Sequence, residues 1–176
     1  MQEPQVILVD QYDQEIGAMG KLQAHVEGKL HRAFSIFLFN ENGDLILQQR
    51  ALSKYHSGGL WTNTCCSHPA PGEFIEDAVQ RRLQEELGIN APVDRVGEVL
   101  YKAKFGNGLT EHEYDYVFVG QYSGSFAPNA EEVEQLKFIS INDLEKWLED
   151  QPEDFTAWFP LCLDIVKRNL ETKAIA

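Results

Sequence analysis

Glu73-Phe-Ile-Glu-Asp-Ala-Val-Gln-Arg81-Arg82-Leu-Gln-Glu85-Glu86-Leu87-Gly88-Ile89 is the most informative run of this chain. Ile75, Ala78, Val79, Leu83 and Leu87 fall at helical spacing, so the run predicts a helix over Ile75–Leu87. Gly88 is its natural C-terminal cap, since glycine tolerates the left-handed conformation that ends helices. Glu85 and Glu86 stand beside Arg81 and Arg82. On most helices such a pattern is a solvated, salt-bridged face. The order here is more specific, with an acid at Glu73 and a glutamate pair closing the helix just before glycine and an apolar residue.

On either side of this helix the chain reads mainly as strands. Gln5–Val9 is a short apolar run followed by a polar turn. Arg32–Asn40 and Leu45–Arg50 flank Asn42-Gly43, a hairpin signal because both turn residues accept positive φ. Leu60–Cys65 is a candidate strand. Val96–Phe105 and Glu111–Gly120, joined by Gly106-Asn107-Gly108, read as a second hairpin. Lys137–Ser140 is another strand, and Asn142–Leu148 a short helix capped by Ser140 or Asn142. Thr156–Leu170 reads as a terminal helix with Thr156 as N-cap and Pro160 in its first turn. Hairpins mixed with a few helices predict an α+β fold, an α/β/α sandwich around one mixed sheet. The 176 residues suffice for a single domain, taken as 1–176, with no repeat or linker.

Composition removes several function classes. Fifteen Lys+Arg against 28 Asp+Glu leave a net charge of −13. That excess argues against nucleic acid, whose phosphates need clustered cations, and against anionic lipid. An anionic small molecule stays open if the few cations gather at one place. The longest apolar run, Ala33–Phe39, falls far short of the ~20 residues of a membrane span, and Met1-Gln-Glu-Pro lacks the features of a signal peptide. Cys65, Cys66 and Cys162 make a poor disulfide framework, which points to a reducing, cytoplasmic setting. Nothing in the sequence reads out an oligomeric state.

Of the histidines, His56 in a Gly-rich loop and His112 fit ordinary surface or satisfied polar positions. His25, His31 and His68 remain. In Glu111-His112-Glu113 strand alternation puts the two carboxylates on one face, about 6–7 Å apart, with His112 opposite. Imidazoles and carboxylates together suit a divalent first-row metal, or Mg²⁺ in a harder variant. In Trp61-Thr-Asn-Thr-Cys65-Cys66-Ser-His68-Pro69, alternation puts Cys66 on the face of His68 and Cys65 on the other. The alternative reading makes both cysteines small buried strand residues, the usual fate of a free thiol. Lys21, Arg50, Lys54, Arg81 and Arg82 lie near the first hairpin, the loop after it and the helix, and together could clamp a diphosphate.

The acidic helix resembles the Nudix box, a loop–helix–loop whose glutamates bind divalent metal against a diphosphate. It matches at Glu73, Arg81, Leu83, Glu85, Glu86, Gly88 and Ile89, and departs at Ser67 and at Arg82, where the pattern has glycine and glutamate. Further stretches resemble one branch of that superfamily, the type 1 isopentenyl diphosphate isomerases. They are Lys21…His25, His31-Arg-Ala-Phe-Ser35, Gln49-Arg-Ala-Leu-Ser-Lys54, Trp61 through Pro69, Gly72-Glu73, Glu111-His-Glu113 and Thr156-Ala-Trp158-Phe. That branch carries the same departures from the box.

The resemblance implies a Nudix-like fold and a reversible allylic shift, in which isopentenyl diphosphate is protonated at C4 and deprotonated at C2 to give dimethylallyl diphosphate. It implies Cys66 and Glu113 as catalytic groups and Tyr101 as their hydrogen-bonding partner. It assigns one divalent ion (Mn²⁺, Zn²⁺ or Mg²⁺) to His25, His31, His68, Glu111 and Glu113, and a diphosphate-bridging Mg²⁺ to Glu86 and the carbonyl of Cys66. Lys21, Arg50, Lys54 and Arg82 match diphosphate contacts, and Trp158 an aromatic facing the hydrocarbon, with Trp61 as a second candidate π-face. The departure at Thr156-Ala157, where the family often has proline second, bears on the pose of Trp158. The competing readings are a Nudix diphosphohydrolase, which needs no special role for Cys66, His25 or His31, and a non-catalytic Nudix-like binding module.

Overall fold

The computed structural model describes residues 3–175, so the first two residues of the leader-peptide reading and the last residue of the chain lie outside it. In chain order it holds β1 (Gln5–Val9), β2 (Glu15–Gly20), α1 (Lys21–Glu27), β3 (His31–Phe39), β4 (Leu45–Arg50), β5 (Trp61–Thr62), β6 (Cys65–Ser67) and α2 (Ile75–Leu87). There follow β7 (Val93–Lys104), β8 (Thr110–Gln121), β9 (Val133–Ile139), α3 (Ile141–Asp150), a 3₁₀ turn at Pro152–Asp154 and α4 (Phe159–Ile175).

β3 is the axis of the mixed sheet. It runs parallel to β8 along its whole length, from His31↔Glu113 to Phe39↔Gln121, and its middle, Phe34 to Ile36, pairs antiparallel with β6. β7 pairs antiparallel with β8, and the β1–β2 hairpin attaches near His31. Side chains of β3 alternate between two cores. Phe34, Ile36 and Leu38 pack with Tyr116, Phe118 and the apolar stripe of α2, namely Ala78, Val79, Leu83 and Leu87. Phe37 and Phe39 pack with Val117, Val119, Leu144 of α3 and Phe159, Cys162, Leu163 and Val166 of α4. The period of two thus gives the sheet a helix layer on each face, the expected α/β/α sandwich. Among the described residues no helix is long and apolar enough to cross a membrane.

Several expectations need correcting. The Asn42-Gly43 turn forms, with Gly43 at φ 80°, but the flanking strands pair only at Phe39↔Leu45. β3 is already bonded to β8 and β6, so β4 swings away to pair with β9 and β5. The strand expected over Leu60–Cys65 is two short pieces. Asn63 and Thr64 interrupt it because their side chains bond strand backbone, Asn63 Nδ2 to the Cys65 carbonyl (2.7 Å) and Thr64 Oγ1 to the Ile46 carbonyl (2.6 Å). Thr156 is not the cap of α4. Its hydroxyl donates to Thr62 Oγ1 at 2.9 Å, and the helix starts at Phe159 with Pro160 still in the first turn. β2 and α1 carry no apolar periodicity strong enough to have been foreseen; β2 is largely exposed. Ser140 does cap α3, accepting from Asp143 N.

Candidate active site

The β-sheet register assembles the centre of the site. Glu113 of β8 lies between His31 of β3 on one side and Tyr101 of β7 on the other. His31 Nε2 is 3.1 Å from Glu113 Oε2, and the Tyr101 hydroxyl donates to Glu113 and, at 3.1 Å, to Glu111. Glu111, Glu113 and Asp115 are all buried on one face, as alternation requires. His112 points the other way, with Nδ1 3.2 Å from the Gly28 carbonyl. His68, just past β6, brings Nε2 to 2.7 Å from Glu113 Oε2. His25 closes the group from the last turn of α1. That helix ends on Gly28 in the left-handed conformation (φ 67°), which brings the chain back into β3 and sets the His25 and His31 rings 5.1 Å apart.

His25, His31, His68 and Glu113 offer ligand atoms that all lie within 4.8 Å of one another. The rings are pre-oriented from behind. His25 Nδ1 is 2.7 Å from the Lys21 carbonyl and His31 Nδ1 is 2.9 Å from the Lys29 carbonyl. Carbonyls only accept, so both Nδ1 atoms carry the proton and both Nε2 atoms present lone pairs inward. Nε2 of His25 is buried with no hydrogen-bond partner, and that of His31 faces a carboxylate oxygen. Lone pairs facing one another in a dry cluster repel unless a cation lies among them. The donor set therefore fits a divalent metal ion.

The charge states agree. Burial pushes the His68 imidazole down to about 3, outweighing Glu113, and burial likewise lowers His25, so both are neutral donors. Burial alone would raise Glu113; positive charge delivered at the Nε2 atoms of His68 and His31, by a proton or a bound cation, is what holds the carboxyl well below the usual range. Burial, then the neighbouring Glu113 charge, drives Glu111 well above it. Glu111 sits slightly apart from the four-residue group. It shares a second group with His25 and His56, in which His56 Nε2 lies 3.5 Å from Glu111 Oε1.

One cavity gathers most of the expected residues. Its lining includes Cys66, Glu111, Glu113, His68 and Trp158 together with Lys21, Arg50, Lys54, Arg82 and Glu86. Burial, then repulsion from Lys54, Arg82 and Arg50, lowers the Lys21 amine, as expected where cations converge to receive an anion. Acids partly offset them. Lys54 Nζ is 2.5 Å from Glu132 Oε2, and Arg82 contacts Glu86 at 3.0 Å and Glu132 at 3.4 Å. Helix α2 splits its glutamate pair. Glu85 is exposed beside Arg81 and Arg82, the ordinary salt-bridged face, whereas Glu86 is buried and also accepts from Gln48 Nε2 at 3.2 Å. Arg81 instead grips Glu73 through two hydrogen bonds of 2.8 and 2.9 Å, which ties the loop to the helix.

The two thiols part company. Cys65 is fully buried against α2, 3.5 Å from Glu86 Oε2, while Cys66 lines the cavity. Burial raises both thiols, so both stay protonated. Trp158 lines the cavity beneath Arg50 (5.5 Å from guanidinium to ring), and its Nε1 donates to Asn63 Oδ1 at 3.2 Å. Trp61 does not line it, packing edge-on against Trp147 at 5.5 Å. Residues that sequence reasoning missed are His56, Glu132 and Gln48. His56 reads from sequence as an ordinary surface or satisfied polar histidine, yet it is 7% exposed and lines the cavity. Its loop gives no periodic signal, and Glu132 arrives only because β9 pairs with β4.

Comparison with known proteins agrees with this geometry. The NUDIX domain family matches residues 29–159. A Burkholderia multivorans protein named isopentenyl-diphosphate Delta-isomerase is 51% identical over 157 residues, covering 89% of each chain. One of the same name from Photobacterium profundum is 48% identical over 177 residues, covering 97% of this chain and 98% of its own. Among solved structures, DR0079 from Deinococcus radiodurans superposes with TM-score 0.71 at 17% identity, covering 93% of this chain and 98% of its own. The MutT protein from Methanosarcina mazei Go1 gives 0.61 at 22% identity, covering 82% and 96%. At these identities the structures speak for the fold.

Proposed function

This chain belongs to the NUDIX family and, within it, to the type 1 isopentenyl-diphosphate Delta-isomerases, and from that premise we propose how its residues divide the work. The reaction interconverts isopentenyl and dimethylallyl diphosphate. Residues 1–176 act as one Nudix-like isomerase domain in a reducing cytoplasm, which suits three free cysteines.

Lys21, Arg50, Lys54 and Arg82 take the diphosphate, the arginines by forked hydrogen bonds and the lysines as point charges. His25, His31, His68, Glu113 and Glu111 hold one divalent ion, with the nitrogen-rich set favouring Mn²⁺ or Zn²⁺ over Mg²⁺, and Glu86 with the Cys66 carbonyl holds Mg²⁺ at the diphosphate. Bound there, the cations supply fixed positive charge that anchors the Glu113 carboxylate and neutralises phosphate oxygens.

An allylic shift needs one group that holds a proton and one that takes a proton. Cys66 holds a proton at Sγ, and ionised Glu113 has a free lone pair at its carboxylate. Tyr101 steadies that carboxylate through its hydroxyl. Trp158 offers its π-face to the developing tertiary cation, worth about 2 kcal/mol when desolvated, and a substrate filling the cavity would keep water from trapping it. What carries the reading is that Cys66 and Glu113 open onto the same cavity as the four cations. A hydrolase would need a further acid where Arg82 stands.

Incubation with isopentenyl diphosphate in deuterated water tests the proposal. Deuterium entering at C2 and C4, with no phosphate or pyrophosphate released, is expected. Release of either, without exchange, would overturn it.

A further inference from the structure

His56 is the group that neither the isomerase resemblance nor the proposed chemistry uses. It sits on the loop 51–60 between β4 and β5, and that loop is shaped to hold it inward. A Cβ on Gly58 would lie 2.8 Å from the Leu52 carbonyl oxygen, and Gly59 has φ +80°, so the neck of the loop needs both glycines. Gly59 N bonds the Arg50 carbonyl at 2.9 Å, Arg50 NH2 donates to the His56 carbonyl at 3.3 Å, and Asn107 Nδ2 holds the Tyr55 carbonyl at 2.9 Å. The His56 ring lies between Phe105 (5.0 Å, 13°) and His25 (5.4 Å, 27°).

Its Nε2 stands 3.5 Å from Glu111 Oε1. That is long for a hydrogen bond, and it lies within the span of about 4.2 Å that two ligands each about 2.1 Å from one cation can have. His25, His56 and Glu111 offer ligand atoms within 4.8 Å of one another, and His25 also belongs to the His31–His68–Glu113 group. The inward Nε2 of His25 has one lone pair and no partner, so it serves one ion. The two groups meet at His25, so the His56–Glu111 pair flanks the same buried Nε2 that faces the four-residue group.

We propose that His56 is a further nitrogen ligand of the divalent ion, entering with Glu111 from the loop side of the site. The inference rests on the divalent-metal reading of the His25–His31–His68–Glu113 group. It makes the loop that carries Lys54 a part of the metal shell, so metal binding and the ordering of a diphosphate contact are one event.

Mn²⁺ is the probe. Free Mn²⁺ is titrated by its EPR signal, and ¹⁴N couplings of the bound ion count the imidazoles. The wild-type chain should show four coupled imidazoles. His56→Ala and His56→Gln should show three and bind Mn²⁺ at least about tenfold more weakly, while His112→Ala, on the opposite face, behaves as wild type. Three couplings in the wild type overturn the inference even if the variants fail to fold. So does an unchanged affinity in both His56 variants. Absence of Mn²⁺ binding by the wild type would instead bring down the metal reading beneath it.

Discussion

Cys66 pairs with Ser35 across the β3–β6 ladder, and this pairing sends the two adjacent thiols to opposite faces of the sheet. Cys65 turns to α2 and Glu86; Cys66 turns to the cavity with Glu111 and Glu113. Cys66→Ser should lose activity by about 10²–10⁴-fold, because a hydroxyl of nearly the same shape has the wrong proton affinity. Cys65→Ser should stay near wild type, since serine can still donate to Glu86. An epoxide analogue of the alkene should alkylate Cys66 and spare Cys65 and Cys162. Turnover of the two mutants and peptide mass mapping read this out, and an inactive Cys65→Ser would move the assignment by one residue.

Removing one imidazole should empty the metal cluster. His25→Ala, His31→Ala and His68→Ala should each lower bound divalent metal and activity together, as should a chelator, because an incomplete shell leaves the inward lone pairs unable to hold the ion. Elemental analysis beside turnover is the measurement. Full occupancy and turnover in His68→Ala would show that the cluster is not the metal site.

Arg82→Glu restores a glutamate to the Nudix-box helix but should not create a hydrolase. Arg82 bridges Glu86 and Glu132, so the change puts acids together where a diphosphate must bind. Losing charge-assisted contacts of about 1.5–3 kcal/mol raises KM about 10–100-fold. Robust pyrophosphate release by this mutant would contradict the assignment.

Asp115 makes the metal-free fold sensitive to alkali. Burial, then the Glu113 charge, pushes its carboxyl up to about 8, while Ser35 Oγ (2.8 Å) and Cys162 Sγ (3.3 Å) donate to it. The folded state thus holds a proton that the unfolded chain releases near 3.8. Stability from this group is present at acid pH and lost as pH rises toward about 8, by up to about 1.4 kcal/mol per pH unit. Asp115→Asn cannot ionise, so denaturation midpoints with chelator present should diverge from wild type progressively between about pH 4 and 8 and run parallel above it. Profiles that stay parallel across that window would refute the raised carboxyl.

Helix α2 and the β7–β8 hairpin were legible in sequence because their determinants are local. Apolar spacing, a capping glycine and a Gly-Asn-Gly turn act within a few residues, and alternation alone placed Glu111 and Glu113 together and His112 apart. The Cys65/Cys66 orientation was legible for the same reason. Pairing over long sequence distance was not. The Asn42-Gly43 turn looked like a hairpin, but β3 prefers β8, some 80 residues on, and no local pattern encodes that partner. The parallel register then decides that His31 meets Glu113, and the fold of a glycine-necked loop decides that His56 is buried beside His25. A residue's type and local period are written in the chain; which charges and lone pairs end up sharing one dry space is settled only when distant strands and loops pack together.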